Sequence, residues 1–190
     1  MTRMTFVLGA LLVAGACSKG GGGSAPPVAF KDGADGLAEL FKASQAACTS
    51  KDFTKGKQIV MSVLPGKDQL KKALKDDAPG DFIDKALEQY KEVPPDAEKV
   101  ACIFAPPGRT EIKVHKSTTE EIVAYKEGTP AFEEFPGGAK KLAETVLKPQ
   151  MAFYEVEALE PGNDKGTKFH MFFWDGGQWR MMGPAWRALK

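Results

Sequence analysis

Between Ala34 and Phe104 the apolar positions recur at helical spacing. Ala34–Ala47 places Leu37, Leu40, Phe41 and Ser44 near one face, which predicts an amphipathic helix. "TSKD" then reads as a helix start, with Thr49 or Ser50 as the cap. Phe53–Leu64 follows, with Phe53, Val60, Val63 and Leu64 as its stripe, and Pro65-Gly66 stops it. A short charged helix is predicted over Lys67–Lys75. Another spans Asp81–Lys91, where Ile83, Leu87 and Tyr90 follow the i, i+4, i+7 pattern. After Pro94-Pro95, Ala97–Phe104 carries one or two further turns, with Cys102 inside them.

Beyond "APPGR" the period changes. "TEIKVHK" alternates strictly, with Ile112 and Val114 on one side and Glu111, Lys113 and His115 on the other, as in a half-exposed strand. "STTEEIVAYK" is ambiguous: its capping-box spacing favours a helix, its β-branched residues a strand. "TPAFEEFPGG" reads as loop. Ala139–Leu147 is the cleanest helix, with Ala139, Leu142, Ala143, Val146 and Leu147 on one stripe. Three strands close the chain: "QMAFYEVEALE", "TKFHMFFW" and "QWRMMG", the last two joined by a "DGG" hairpin turn. Simple alternation puts Phe169, Met171 and Phe173 on one face, and His170, Phe172 and Trp174 on the other. Both faces are apolar, which predicts a strand covered on both sides. Trp186 is expected to fold back onto this sheet. Helices first and a terminal three-stranded antiparallel meander afterwards define an α+β fold with a curved sheet.

Composition adds little to this picture except at the N-terminus. The 190 residues are 43% hydrophobic and 27% charged, enough for one globular domain. Lys+Arg number 26 and Asp+Glu 25; removing residues 1–16 takes Arg3 and leaves 25 of each sign. A neutral body argues against nucleic acid as the main partner, because backbone binding needs a basic surface. Arg3, the eleven-residue apolar stretch Phe6–Ala16 and the small residues Ala14-Gly15-Ala16 form an export signal. The stretch falls well short of the roughly 20 residues of a membrane-spanning helix. "SKGGGGSAPPV" follows as a flexible tether.

Ala14-Gly15-Ala16-Cys17 resembles the lipobox of bacterial lipoproteins. The resemblance implies cleavage before Cys17 and a diacylglyceryl group on its thiol. Two or three acyl chains anchor a soluble domain stably without any spanning segment. Serine at position 18, where aspartate would favour inner-membrane retention, leans towards the periplasmic face of the outer membrane. The rival reading is plain secretion with Cys17 free. The chain therefore divides into a signal peptide (1–16), a lipidated tether (17–33) and one α+β domain (34–190). With Cys17 on lipid, Cys48 and Cys102 are the two thiols left, and in an oxidising compartment they are expected to pair. The alternative is two separate buried cysteines. The chain shows no CxxC, and its two histidines, His115 and His170, stand far apart in sequence, so neither a metal nor another cofactor is expected.

The element order and the closing "WDGGQWRMMG" hairpin also resemble the cone-shaped nuclear-transport-factor-type (SnoaL-like) fold over residues 34–185. That resemblance implies a pocket in which enzymatic members move protons with an Asp or a His. Here Glu155, His170 and Arg180 lie on adjacent predicted strands and form the candidate pocket, as base, partner and anion clamp. The competing reading makes His170 a satisfied sheet histidine and Glu155 and Arg180 surface residues. No nucleophile elbow, HExxH or Ser-Lys pattern is present. The expected function is a non-catalytic domain, tethered to the membrane, that binds a small ligand or an envelope protein. The alternative is a cone-fold enzyme with its acid–base group on the C-terminal sheet.

Overall fold

The computed structural model describes residues 29–92 and 96–189. The signal-peptide and lipobox readings, Cys17 included, and most of the tether lie outside the described residues. The helices are α1 (Ala34–Thr49), α2 (Phe53–Ser62), α3 (Lys67–Ala73), α4 (Phe82–Glu88), α5 (Ala97–Ala101), α6 (Thr119–Ala124), α7 (Pro130–Glu133) and α8 (Gly137–Thr145). Short 3-10 helices cover Gln89–Glu92 and Ala185–Leu189. The strands β1 (Glu111–Thr118), β2 (Ala152–Leu159), β3 (Thr167–Trp174) and β4 (Trp179–Met181) form one antiparallel sheet in chain order. The α+β class is as the periodicity predicts. The predicted first strand pairs with β2 and turns the three-stranded meander into an open sheet of four.

The α1 stripe packs as its spacing demands, whereas α4 buries Phe82 and Ala86 and leaves the expected Ile83 and Leu87 half-buried. Leu37, Leu40, Phe41 and Ser44 of α1 are all buried. The cap of α2 is not Thr49 or Ser50 but Asp52, whose carboxylate accepts the Lys55 backbone N–H at 3.1 Å. A carboxylate at that position satisfies an orphan donor and meets the positive end of the helix. The ambiguous "STTEEIVAYK" resolves into both of its readings. Ser117 and Thr118 finish β1, and Thr118 then exchanges two hydrogen bonds with Glu121 to start α6. The predicted loop "TPAFEEFPGG" contains one extra helical turn, α7, opened by Pro130.

The sheet separates two cores. On one face Phe41, Val60 and Val100 from α1, α2 and α5, with Phe104 just beyond α5, pack on Tyr154, Val156, Phe172 and Trp179. The Cys48–Cys102 disulfide ties the last turn of α1 to the end of α5, with Cα atoms 5.2 Å apart. Nearby, α2 and α5 approach so closely that a Cβ on Gly56 would sit 2.7 Å from that of Ala101. On the other face Leu70, Phe82, Ile122 and Leu142 from α3, α4, α6 and α8, with Val146 at the end of α8, cover Phe153, Met171 and Phe173. Trp186 does fold back, lying edge-on to the His170 ring at 5.7 Å.

Strand β3 departs from simple alternation. Tyr154 pairs with Phe172, but Val156 pairs with Phe169, so Glu155 alone stands opposite two residues, His170 and Met171. This is a β-bulge, with Met171 at φ 58°. The extra residue reverses the sidedness halfway along the strand. Phe169 therefore joins Phe172 on the α1 face, and Met171 joins Phe173 on the opposite face, which corrects the predicted grouping.

Candidate functional site

The bulge depends on one side chain. Glu155 is fully buried, and its carboxylate accepts the Met171 backbone N–H at 2.9 Å and contacts His170 Nδ1 at 2.6 Å. Burial pushes the Glu155 carboxyl above its ordinary range, against the opposing pull of His170 and the Met171 N–H. The bulge's carbonyls are used as well: His170 accepts from the Gly183 N–H and Met171 from the Met182 N–H, both just past β4. The reading of Glu155 as a surface residue is thus overturned. The fold brings Glu155 and His170 together as the candidate pocket requires.

Arg180 is not part of that convergence. Its guanidinium donates to Asp175 Oδ2 at 2.7 Å and to the Ser62 carbonyl at 2.6 Å. Asp175 also accepts the backbone N–H groups of Gly177 and Gln178, so it organises the β3–β4 turn, as its place in "DGG" implies. Burial would raise the Asp175 carboxyl, but Arg180 and these N–H donors outweigh it and hold the group below its usual range. Arg180 is a hairpin clamp on the sheet edge, not an anion clamp beside His170.

The register explains where the polar groups gather. Ser117 lies opposite Phe153, His115 opposite Glu155, and Lys113 opposite Glu157, which in turn pairs with Lys168. One face of the sheet therefore changes along its strands from apolar, under α6 and α8, to charged. A cleft of about 420 Å³ opens at the charged end, bounded by Glu134 after α7, the β2–β3 loop near Gly166, and His170. Glu157 is 5% exposed, and its Oε1 accepts the Gly166 N–H at 2.7 Å. Glu134 contacts Lys168 Nζ at 2.6 Å. Burial works to raise the Glu134 carboxyl, but Lys168, His115 and Lys113 together hold it below its ordinary range. His115 Nε2 is buried without a hydrogen-bond partner and lies 3.7 Å from Glu134.

Sequence reasoning missed His115, Glu134 and Glu157 as a group. His115 and Glu157 sat on predicted strands as ordinary polar alternates, and Glu134 fell in a predicted loop. Only the β1–β2 register and the turn of α7 bring them within reach of one another. No helix among the described residues is long and apolar enough to cross a membrane. Comparison of the chain with family models, curated proteins and solved structures returned no match.

Proposed function

We propose that this chain is a lipid-anchored protein of the bacterial cell envelope whose α+β domain binds a small polar or ionic ligand without transforming it. The observation that carries the binding reading is the charged cleft itself. Four carboxylates (Glu133, Glu134, Glu157 and Asp164), Lys165, Lys168 and His170 line one concave end of the sheet, and Glu134, Glu157, Lys168 and His170 are half-buried or buried there. Such groups lose hydration there, and a ligand of complementary charge restores it. The non-catalytic part rests on the use already made of Glu155. One of its oxygens is committed to the backbone of the bulge and the other to His170, so it serves the fold. Attachment to the membrane rests on "AGAC" and its tether, and the Cys48–Cys102 bridge suits the oxidising compartment that export would reach.

Mass spectrometry of the protein extracted from bacterial membranes tests both parts. The intact denatured mass should correspond to a chain beginning at Cys17 with added acyl groups. An unacylated chain starting elsewhere refutes the anchor. Under native conditions a ligand-bound species should appear and be lost in Glu157→Gln. Its persistence in that variant refutes the cleft as the binding place.

One observation favours the alternative reading as an acid–base enzyme. Glu155 holds His170 through Nδ1, the arrangement that sets up the far ring nitrogen as a base. If the bound ligand is chemically changed by the native protein and unchanged by His170→Ala, this second reading replaces the first.

A further inference from the structure

We infer that His115, Glu134 and Glu157 form a binding site for a divalent first-row transition-metal ion, for which Zn²⁺ is the probe. This rests on the binding reading above and names the class of ligand. The three side chains come from β1, the end of α7 and β2, and one donor atom of each lies within 4.8 Å of the others. An imidazole nitrogen and two carboxylates suit Zn²⁺ and its neighbours, whereas Ca²⁺ and Mg²⁺ take oxygen ligands.

A second observation points to a ligand independently of that clustering. His115 Nε2 is one of two buried side-chain polar atoms without a hydrogen-bond partner among the described residues. An orphaned buried polar group loses its hydration without compensation, and native structures seldom keep one without a reason. Its nearest carboxylate oxygen, on Glu134, stands 3.7 Å away, beyond hydrogen-bonding reach. An ion between them would satisfy both.

The surroundings are those of a built site. Glu157 is held through Oε1 by the Gly166 N–H, which leaves Oε2 for an ion. Hydrogen bonds of this kind orient metal-binding carboxylates. Gly166 cannot readily be replaced: a Cβ there would lie 2.1 Å from the Ala158 carbonyl oxygen. Bonds of about 2.0–2.2 Å put tetrahedral ligand atoms roughly 3.4 Å apart. Closing from 4.8 Å therefore asks for up to about 1.4 Å of movement, which Glu134 supplies, being partly exposed on the link from α7 to α8. Three protein ligands leave a fourth position open, as in exchangeable sites and unlike closed structural ones.

Lys168 completes the logic. Its ammonium sits 2.6 Å from Glu134 and balances charge that a divalent ion would otherwise balance. Binding the ion displaces it, and its long stem reaches solvent from there. The lysine thus sets the affinity: it competes with the metal for the same carboxylate.

The test uses the full chain extracted from membranes and stripped with a chelator. Zn²⁺ titration by calorimetry should saturate at one ion per chain, and Co²⁺ should give visible d–d bands of a nitrogen–oxygen site. His115→Ala and Glu134→Ala should each weaken binding by about tenfold or more, and Lys168→Met should strengthen it by about two- to fivefold, the size of one partly exposed ion pair. Should stripped His115→Ala lose its native melting transition, Glu134→Ala decides, since that side chain serves no core. Absence of saturable binding, or unchanged binding in Glu134→Ala, overturns the site. A native mass spectrum with an organic ligand and no metal removes this inference and leaves the binding cleft standing. A spectrum with neither removes both.

Discussion

Removing the Cys48–Cys102 bridge is the perturbation whose size the structure sets most directly. The bond joins α1 to the end of α5 across a sequence separation of 54 residues. Closing a loop of that length in the unfolded chain lowers its entropy by an amount worth about 4 kcal/mol at 25 °C. The native state loses little when the bond goes. Phe41 of α1 remains stacked within 4.7 Å of Phe104, just beyond α5, and α2 stays packed between them at Gly56 and Ala101. The effect therefore falls on the unfolded state. For a domain of this size each kcal/mol shifts the midpoint by about 2–4 °C, so Cys48→Ala/Cys102→Ala should melt roughly 8–16 °C lower. Its native far-UV circular dichroism should be unchanged. In urea the variant should also show a steeper transition, because its unfolded chain exposes more surface. Reducing the native protein should reproduce the shift. A double variant melting within about 2 °C of the parent would refute the reasoning, and would mean that the unfolded chain keeps these helices together by other means.

Three further outcomes follow from single side chains. Asp175→Asn should destabilise the domain by about 1.5–3 kcal/mol at neutral pH, the worth of charge-assisted hydrogen bonds to Arg180 and the turn. Because folding lowers the Asp175 pKa, its contribution is present above the unfolded value of about 4 and disappears as the pH falls through the folded one. The stability difference between parent and variant should thus narrow as the pH is lowered from about 7 towards 3. Phe41→Ala removes a fully buried ring in contact with Phe104, Phe169 and Phe172, and should cost about 3–5 kcal/mol by urea denaturation. Thr118→Ala breaks the box that starts α6 and should cost about 1 kcal/mol, with faster amide exchange confined to the first turn of that helix.

The elements whose signals are local were legible in the sequence. The α1 stripe, the Pro65-Gly66 stop, the boundaries of β3 and the turn at Asp175 each follow from spacing or turn chemistry within a few residues. The candidate pair Glu155–His170 was legible too, because a hairpin places neighbouring strands together. Arg180 was misplaced for the same reason that Asp175 was understood. A turn carboxylate needs a cation, and the guanidinium five residues on reaches it before it can reach the cleft.

From sequence alone the chain already determines helices followed by a terminal meander and a natural pair of cysteines, since these depend on period and count. Tertiary structure alone decided the bulge at Met171, because one extra residue is invisible until its strand is paired. It decided that Glu155 is buried and that His115, Glu134 and Glu157 face one another. Those meetings depend on the register of β1 against β2 and on one helical turn in an apparent loop, and long-range pairing leaves no periodic trace in the residues it joins.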